Sequence, residues 1–468
     1  MKLFQKTIAL LTVFTFAALV AEEKSVFSYP QSGQGRRIAA YFAAFNASID
    51  DPMETFLHKN LSADALRRDP LEQRLSRFRG FKKQARSLNP EKLLREDGQK
   101  VSLLVRDGQG QWLEFTFVFE KGENGKVTAI LGAPVNAEDV AELSGPPLNR
   151  EEVMTRIRAI LDEQAKADLF SGVVLLAYDG QVLLHEARGL ASSEYGVPNR
   201  PDTRFNLGSI NKIFTRVAIG QLAEKNKLSL DDPINKFLPD YPNPEAAEKV
   251  TVRQMLDMTS GISDFFGKKY SDTPKDRVRT LNDYLQLFAA EPLLFQPGTN
   301  RQYSNGGYIV LGLIVEKASG KNYSDYMREN IYQPAGMEST AHLDADLPAA
   351  NVASGYTRNW DEGNHAAEPR RNNLYTRPAR GSSTGGGYST ARDLFKFAMA
   401  LKAGKLLGPL GKEWFSGPQA YAGGAPGINA ELDMETVLGW TIVVMGNYDP
   451  PAASNVAQKI NILLKRLQ

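Results

Sequence analysis

The 468-residue chain changes its hydrophobic period in an order that few folds accommodate. From about residue 151 it opens with an amphipathic helix over about 153–167, turns to strand patterns, runs through a long helix-rich middle and returns to strands before a last helix. Gly172–Tyr178, the turn pair Asp179-Gly180 and Gln181–Arg188 read as a hairpin. Residues 209 to about 399 carry mostly helical periodicity. Residues 428–433 and 438–445 are again strand-like, and 455–467 reads as a helix. Strands at both ends of such a region need each other to satisfy their backbone groups. The pattern predicts one sheet with a helical insertion, and a site at the junction of the two.

Residues 33–135 form a separate unit by pattern. Ile38, Tyr41, Phe42 and Phe45 recur at helical spacing, and a further helix is expected over about 70–87. The period then switches to two: Val101, Leu103 and Val105 alternate, as do Leu113, Phe115, Phe117 and Phe119, with Asp107-Gly108 as the turn between them. This helix-first, sheet-second layout resembles the cone-shaped cystatin-like fold of small polyketide-cyclase-like domains and reads as an α+β accessory domain. Residues 136–150, with Gly145-Pro146-Pro147, read as a linker to a second domain over 151–468. Ahead of both, Lys2 and Lys6 precede an uncharged apolar run from Thr7 to Val20, then Ala21 and a charged stretch. Residues 1–21 therefore read as a secretory signal peptide, giving an exported protein, periplasmic or extracellular, with no stable membrane span after cleavage.

Composition removes several chemistries. With no cysteine there is no disulfide, thiolate metal site or cysteine nucleophile. The histidines are His58, His185, His342 and His365, and no two lie within one helical turn, so no local zinc motif exists. His185 reads as structural, His342 and His365 as surface residues. Trp112, Trp360, Trp414 and Trp440 are scattered and form no stacking platform by sequence. A net charge of +2 argues against a nucleic-acid partner.

What remains is a serine and a lysine one turn apart. Ser209 stands where an apolar helix begins, and Lys212 follows three residues later on the same face. A serine hydroxyl needs a neighbouring base to become a nucleophile. A lysine supplies one when burial or a positive field lowers its pKa. Tyr303 and Asn305, two residues apart in what reads as a loop, can relay a proton and orient an amide, respectively.

The strings FNLGSINK around Ser209, LSLDDPINKFLP (Leu228 to Pro239), VTVRQMLDMTSGI (Val250 to Ile262) and FQPGTNRQYSNGGYIVLGLIVEKASG (Phe295 to Gly320) resemble the serine β-lactamase and penicillin-binding-protein superfamily, in particular its class C-like group. GGGYSTARDL (Gly385 to Leu394) and GGAPGINAEL (Gly423 to Leu432) extend the resemblance. It implies an α+β, β-lactamase/transpeptidase-like fold, an antiparallel sheet flanked by helices plus a helical subdomain, and needs no cofactor or metal. It implies Ser209 as acylated nucleophile, Lys212 as its base, Tyr303 as proton shuttle and Asn305 as orienting amide. The oxyanion hole would be the backbone N–H groups of Ser209 and Gly424.

One motif departs. The family usually places Lys-Thr-Gly or His-x-Gly on an edge strand, and here Tyr421-Ala422-Gly423 stands there. Tyrosine carries no positive charge at neutral pH, and the segment before it, 406–420, is too short for the strand that usually precedes the motif. The expectation is an exported serine hydrolase acting on a small-molecule, peptide or ester substrate: a β-lactam, a D-amino-acid peptide or an ester, with esters and neutral substrates favoured. The rival expectation is an impaired member that binds peptidoglycan peptides or a protein. No signal of oligomeric state is present.

Overall fold

The computed structural model describes residues 27–467, apart from 69, 123, 362–364, 366, 416, 418, 436 and 438. Residues 1–21, read above as a signal peptide, lie outside the described residues. No helix among the described residues is long and apolar enough to cross a membrane. The chain divides into two compact units, Met1–Ser144 and Gly145–Gln468.

In the first unit, helices α1 (Gly33–Asn46), α2 (Asp51–Asn60), α3 (Ala63–Arg68) and α4 (Leu71–Ala85) precede an antiparallel sheet of β1 (Leu88–Asp97), β2 (Lys100–Asp107), β3 (Trp112–Phe119) and β4 (Val127–Val135), in sequential order, and α5 (Ala137–Leu143) follows. Ser32 starts α1 by accepting a hydrogen bond from the Gly35 N–H. The alternation read in β3 is the burial observed: Leu113, Phe115, Phe117 and Phe119 are buried, and the residues between them are half-covered. Their rings meet those of α1 edge-on, Tyr41 on Phe117 at 5.2 Å and Phe42 on Phe115 at 5.8 Å.

Strand β1 was not expected from the pattern. Its sequence, LNPEKLLRED, holds a proline and no period of two. It is an edge strand whose register shifts at Pro90/Lys92 and at Leu93/Arg95. Bulges of this kind let an edge carry proline and charge.

In the second unit, Asn149 and Glu152 close a reciprocal cap on α6 (Arg150–Lys166). Two strands follow, β5 (Gly172–Tyr178) and β6 (Gln181–Arg188). A run of helices comes next, of which α7 (Asn211–Glu224), α8 (Asn305–Ser319) and α9 (Ala391–Lys402) matter most for the site. The chain ends in β7 (Gln419–Ala425), β8 (Ile428–Met434), β9 (Trp440–Gly446) and α10 (Ala452–Lys465). The sheet order is β7-β8-β9-β5-β6, antiparallel throughout, so the first and last strands of the unit pair at its centre, Val443 opposite Leu175. Period-two alternation divides the strand side chains between two cores. Val174, Leu176, Ile442 and Val444 face α6 and α10. Val173, Leu175, Leu432 and Val443 face the helical side, where Phe214 and Phe397 meet at 4.8 Å.

Helix α7 is buried around nearly its whole circumference. That is what allows a helix to carry a lysine into a dry interior.

Truncating Phe117, which is 0% exposed, to alanine is expected to cost about 3–5 kcal/mol. The check is the denaturant midpoint of the full chain by near-UV circular dichroism, compared with the parent.

Candidate active site

Ser209 sits in a short 3-10 turn, Gly208–Ile210, that runs directly into α7. Its Oγ lies 2.6 Å from Tyr303 Oη and 3.1 Å from Lys212 Nζ. Asn305 does not lie in a loop, as its sequence setting suggested. It is the first residue of α8, whose N-cap Ser304 accepts from the Gly307 N–H at 2.9 Å. The cap fixes the chain direction, so that the exposed Tyr303 and the buried Asn305 both reach the serine's surroundings.

Lys212 is only 8% exposed. Besides Ser209, its Nζ donates to Asn305 Oδ1 at 2.7 Å and to the Thr384 carbonyl at 2.8 Å. Those two oxygens are acceptors only toward it. A neutral amine therefore gives them its two N–H groups and turns its lone pair to Ser209 Oγ. Burial pulls the Lys212 pKa down to about 7, and the nearby Asp264 carboxylate opposes the shift. Burial pushes Tyr303 the other way, above its ordinary value, although its hydrogen bond with Ser209 works against this. Near neutral pH the lysine can be an uncharged base while the tyrosine keeps its proton.

Two of the groups holding this arrangement had no role in the sequence reading. Thr384 gives its carbonyl to Lys212 and its hydroxyl to Asn305 Oδ1 at 2.7 Å. Asp264 Oδ2 accepts from Asn305 Nδ2 at 2.7 Å and from the Asn305 backbone N–H at 3.2 Å. That contact decides which end of the amide faces the lysine. Both residues adjoin strings that the sequence reading did single out, Asp264 just past Ile262 and Thr384 just ahead of Gly385.

The strand carrying Tyr421-Ala422-Gly423 is present as β7, the free edge of the sheet. Its two-residue turn makes Ala425 and Ile428 the closing hydrogen-bonded pair. The next pair, Gly424 with Asn429, is then non-hydrogen-bonded, and the Gly424 N–H points off the sheet edge. The neighbour on that side is the serine turn: a methyl on Gly208 would stand 2.8 Å from Gly424 N, and one on Gly423 would stand 3.1 Å from Ser209 N. Gly208 has φ +48, which also favours glycine. The serine turn and the Gly423–Gly424 backbone thus lie side by side, and Ser209 and Gly424 border the same cleft.

Tyr421 does not replace the usual cation. Its hydroxyl donates to Gln419 Oε1 at 2.8 Å, its ring packs on the core, and burial pushes its pKa up to about 12.

The triple glycine Gly385-Gly386-Gly387 packs tightly. Side chains at Gly385 and Gly387 would press on Gly208 O at 3.2 Å and Asn211 Oδ1 at 2.5 Å.

One minor reading needs correction. His342 is not a surface residue. It is 7% exposed, its Nε2 meets Asn211 Nδ2 at 2.9 Å, and burial lowers its pKa to about 4. It stays neutral and props Asn211 beneath Gly387. Trp360 packs against its own neighbours: the His365 ring and the Arg371 guanidinium each lie 3.9 Å from its centroid. His365 is itself partly covered, held by Asp361 and Glu368. His185 lies on β6, where burial lowers its pKa.

Ser209, Tyr303, Asn305, Thr384 and Gly424 border a cleft of about 500 Å³ that also reaches Phe265, Tyr270, Arg377 and Tyr388. No group of His, Asp or Glu suited to a metal ion occurs among the described residues.

A serine beside a buried lysine, with an edge strand alongside, defines the β-lactamase/transpeptidase class of fold. Residues 157–442 match the family described as Beta-lactamase. The chain is 29% identical over 266 residues to a penicillin-binding protein of Bacillus subtilis (strain 168), covering 55% of this chain and 58% of that protein. It is 32% identical over 213 residues to Esterase EstB of Burkholderia gladioli, covering 42% of this chain and 54% of the esterase. The crystal structure of a penicillin binding protein from Bacillus halodurans superposes with a TM-score of 0.58 at 30% identity, over 64% of this chain and 99% of that one. The chain spans little more than half the length of the two relatives first named. It belongs to the beta-lactamase family.

Lys212 should titrate near 7, readable by 15N NMR of the lysine side chain. Since Asp264 raises that pKa, Asp264→Asn is expected to move the midpoint lower, and an upward move would contradict the assignment.

Proposed function

We propose that this protein is an exported serine hydrolase that works through an acyl-enzyme on Ser209. The supporting observation is the position of Ser209 Oγ between Tyr303 Oη at 2.6 Å and the buried Lys212 Nζ at 3.1 Å. Ser209 Oγ attacks the substrate carbonyl carbon and passes its proton to the neutral Lys212. The carbonyl oxygen, now negative, rests between the Ser209 and Gly424 N–H groups. Each such donor is worth roughly 10²–10³ in rate. As the tetrahedral species collapses, the bond to the leaving group breaks, and the proton returns from Lys212 to that group by way of Tyr303. Asn305 holds Lys212 and orients the substrate. Water, deprotonated by the same groups, then releases the acid and restores the serine.

The absence of a cation from β7 favours esters and small amides over substrates with a carboxylate on the leaving side, as β-lactams and D-peptides have. It is also the one feature that supports the rival reading, a binding module that has lost turnover. Export rests on the pattern of residues 1–21.

A fluorophosphonate probe should label the protein, and Ser209→Ala should abolish labelling and lower ester turnover by at least about 10³-fold. Absence of any Ser209-dependent adduct together with absence of ester turnover leaves only the binding module. For the active enzyme, kcat/KM should rise with pH through about 7, because Lys212 acts as a base only once its proton has left.

A further inference from the structure

The cleft lacks a cation where the family usually has one, yet it is not without positive charge. No Asp or Glu is among the described residues lining it, and two arginines are, Arg377 and Arg380. Arg380 is engaged, its Nη1 at 2.9 Å from Asp344 Oδ2. Arg377 is not. Its Nε is buried without a hydrogen-bond partner, and the side chain makes no hydrogen bond or ion pair among the described residues. A guanidinium always carries its charge, and this half-buried one shares the cleft wall with no Asp or Glu to neutralise it.

The backbone around Arg377 indicates which part of a substrate would supply that ligand. Asn373 Nδ2 donates to the Pro426 carbonyl at 2.9 Å, which ties the segment to the β7–β8 turn next to Gly424. Further along, the segment accepts from Tyr270 Oη at Thr376 O (3.3 Å) and from Tyr284 Oη at Arg380 O (2.6 Å). It therefore runs from the backbone that would hold the acyl oxygen to Tyr270 and Tyr284 on the aromatic wall of the cleft.

We propose that Arg377 recognises a carboxylate on the acyl part of the substrate, so that the preferred substrates are esters or amides of acids bearing a second, distal carboxylate on an apolar spacer. The inference rests on the serine-hydrolase reading above and adds a substrate class to it. It fits the neutral third motif: the anion is read from the acyl wall, so no charge is required on β7. Arg377 can offer paired N–H groups to a carboxylate in fork geometry, which lysine cannot reproduce.

The test compares p-nitrophenyl hydrogen adipate with p-nitrophenyl hexanoate, esters of equal chain length and leaving group, with the Ser209→Ala chain as the blank for spontaneous hydrolysis. The parent should prefer the anionic ester. Arg377→Gln should lower the ratio of kcat/KM, anionic over neutral, by about ten- to hundredfold, mainly through KM. Arg377→Lys should give an intermediate ratio. A ratio that Arg377→Gln leaves unchanged overturns the proposal. So does an Arg377-dependent preference for p-carboxyphenyl hexanoate, whose carboxylate is on the leaving group, with none for the adipate ester. If the hexanoate ester is hydrolysed through Ser209 without any anionic preference, only this inference falls. If neither ester is hydrolysed through Ser209, the hydrolase reading falls as well.

Discussion

The site depends on keeping one ammonium out of water. Lys212 has three neighbours within hydrogen-bond reach, and two of them, Asn305 Oδ1 and the Thr384 carbonyl, can only accept from it. They come from parts of the chain far apart in sequence: the start of α8 and the turn before the triple glycine. Burial makes the charged form costly, and these two acceptors fix the amine so that its free direction is the serine. Asp264 orients the Asn305 amide from behind, and Ser304 sets the helix start that carries Asn305. Little of this concerns the fold as a whole. It is a local construction that the two cores make rigid.

Backbone proximity is the second requirement, and glycine supplies it. The turn before Ser209 and the edge strand β7 approach until a single methyl at Gly208 or Gly423 would collide with backbone. Side chains there would push Gly424 N and Ser209 N apart. The edge position matters equally. A central strand spends every N–H on its neighbours, whereas a non-hydrogen-bonded position on an edge leaves one to face the cleft.

Much of this was legible in the sequence because it depends on short-range pattern. Ser209 and Lys212 share a helix face, and the alternation of Leu113 to Phe119 declares its own buried side. Strand β1 was not legible, since bulges and a proline remove the period that marks a strand. Asp264 and Thr384 were not legible for another reason: their roles exist only through contacts 41 and 79 residues away in the chain. His342 misled because a histidine in a loop reads as exposed, while tertiary packing buries it against Asn211. The altered third motif was visible as a missing charge. Where else charge faces the cleft was not, since Arg377 stands outside every motif.

The missing charge also bears on how the base is tuned. A cation on β7 would lower the Lys212 pKa by like-charge repulsion, a term that dissolved salt weakens. Here desolvation is the leading cause and Asp264 acts against it. Desolvation comes from packing, from a helix buried nearly all round and from the aromatic faces of Tyr303 and Tyr308, 4.8 and 5.7 Å from Nζ. Those rings attract the ammonium while displacing the water that would solvate it better. A base tuned by shape keeps its pKa when the medium's ionic strength changes, which a base tuned by a neighbouring charge does not. It also leaves the electrostatics of β7 free to vary, because the burial that lowers the Lys212 pKa does not depend on that strand's charge.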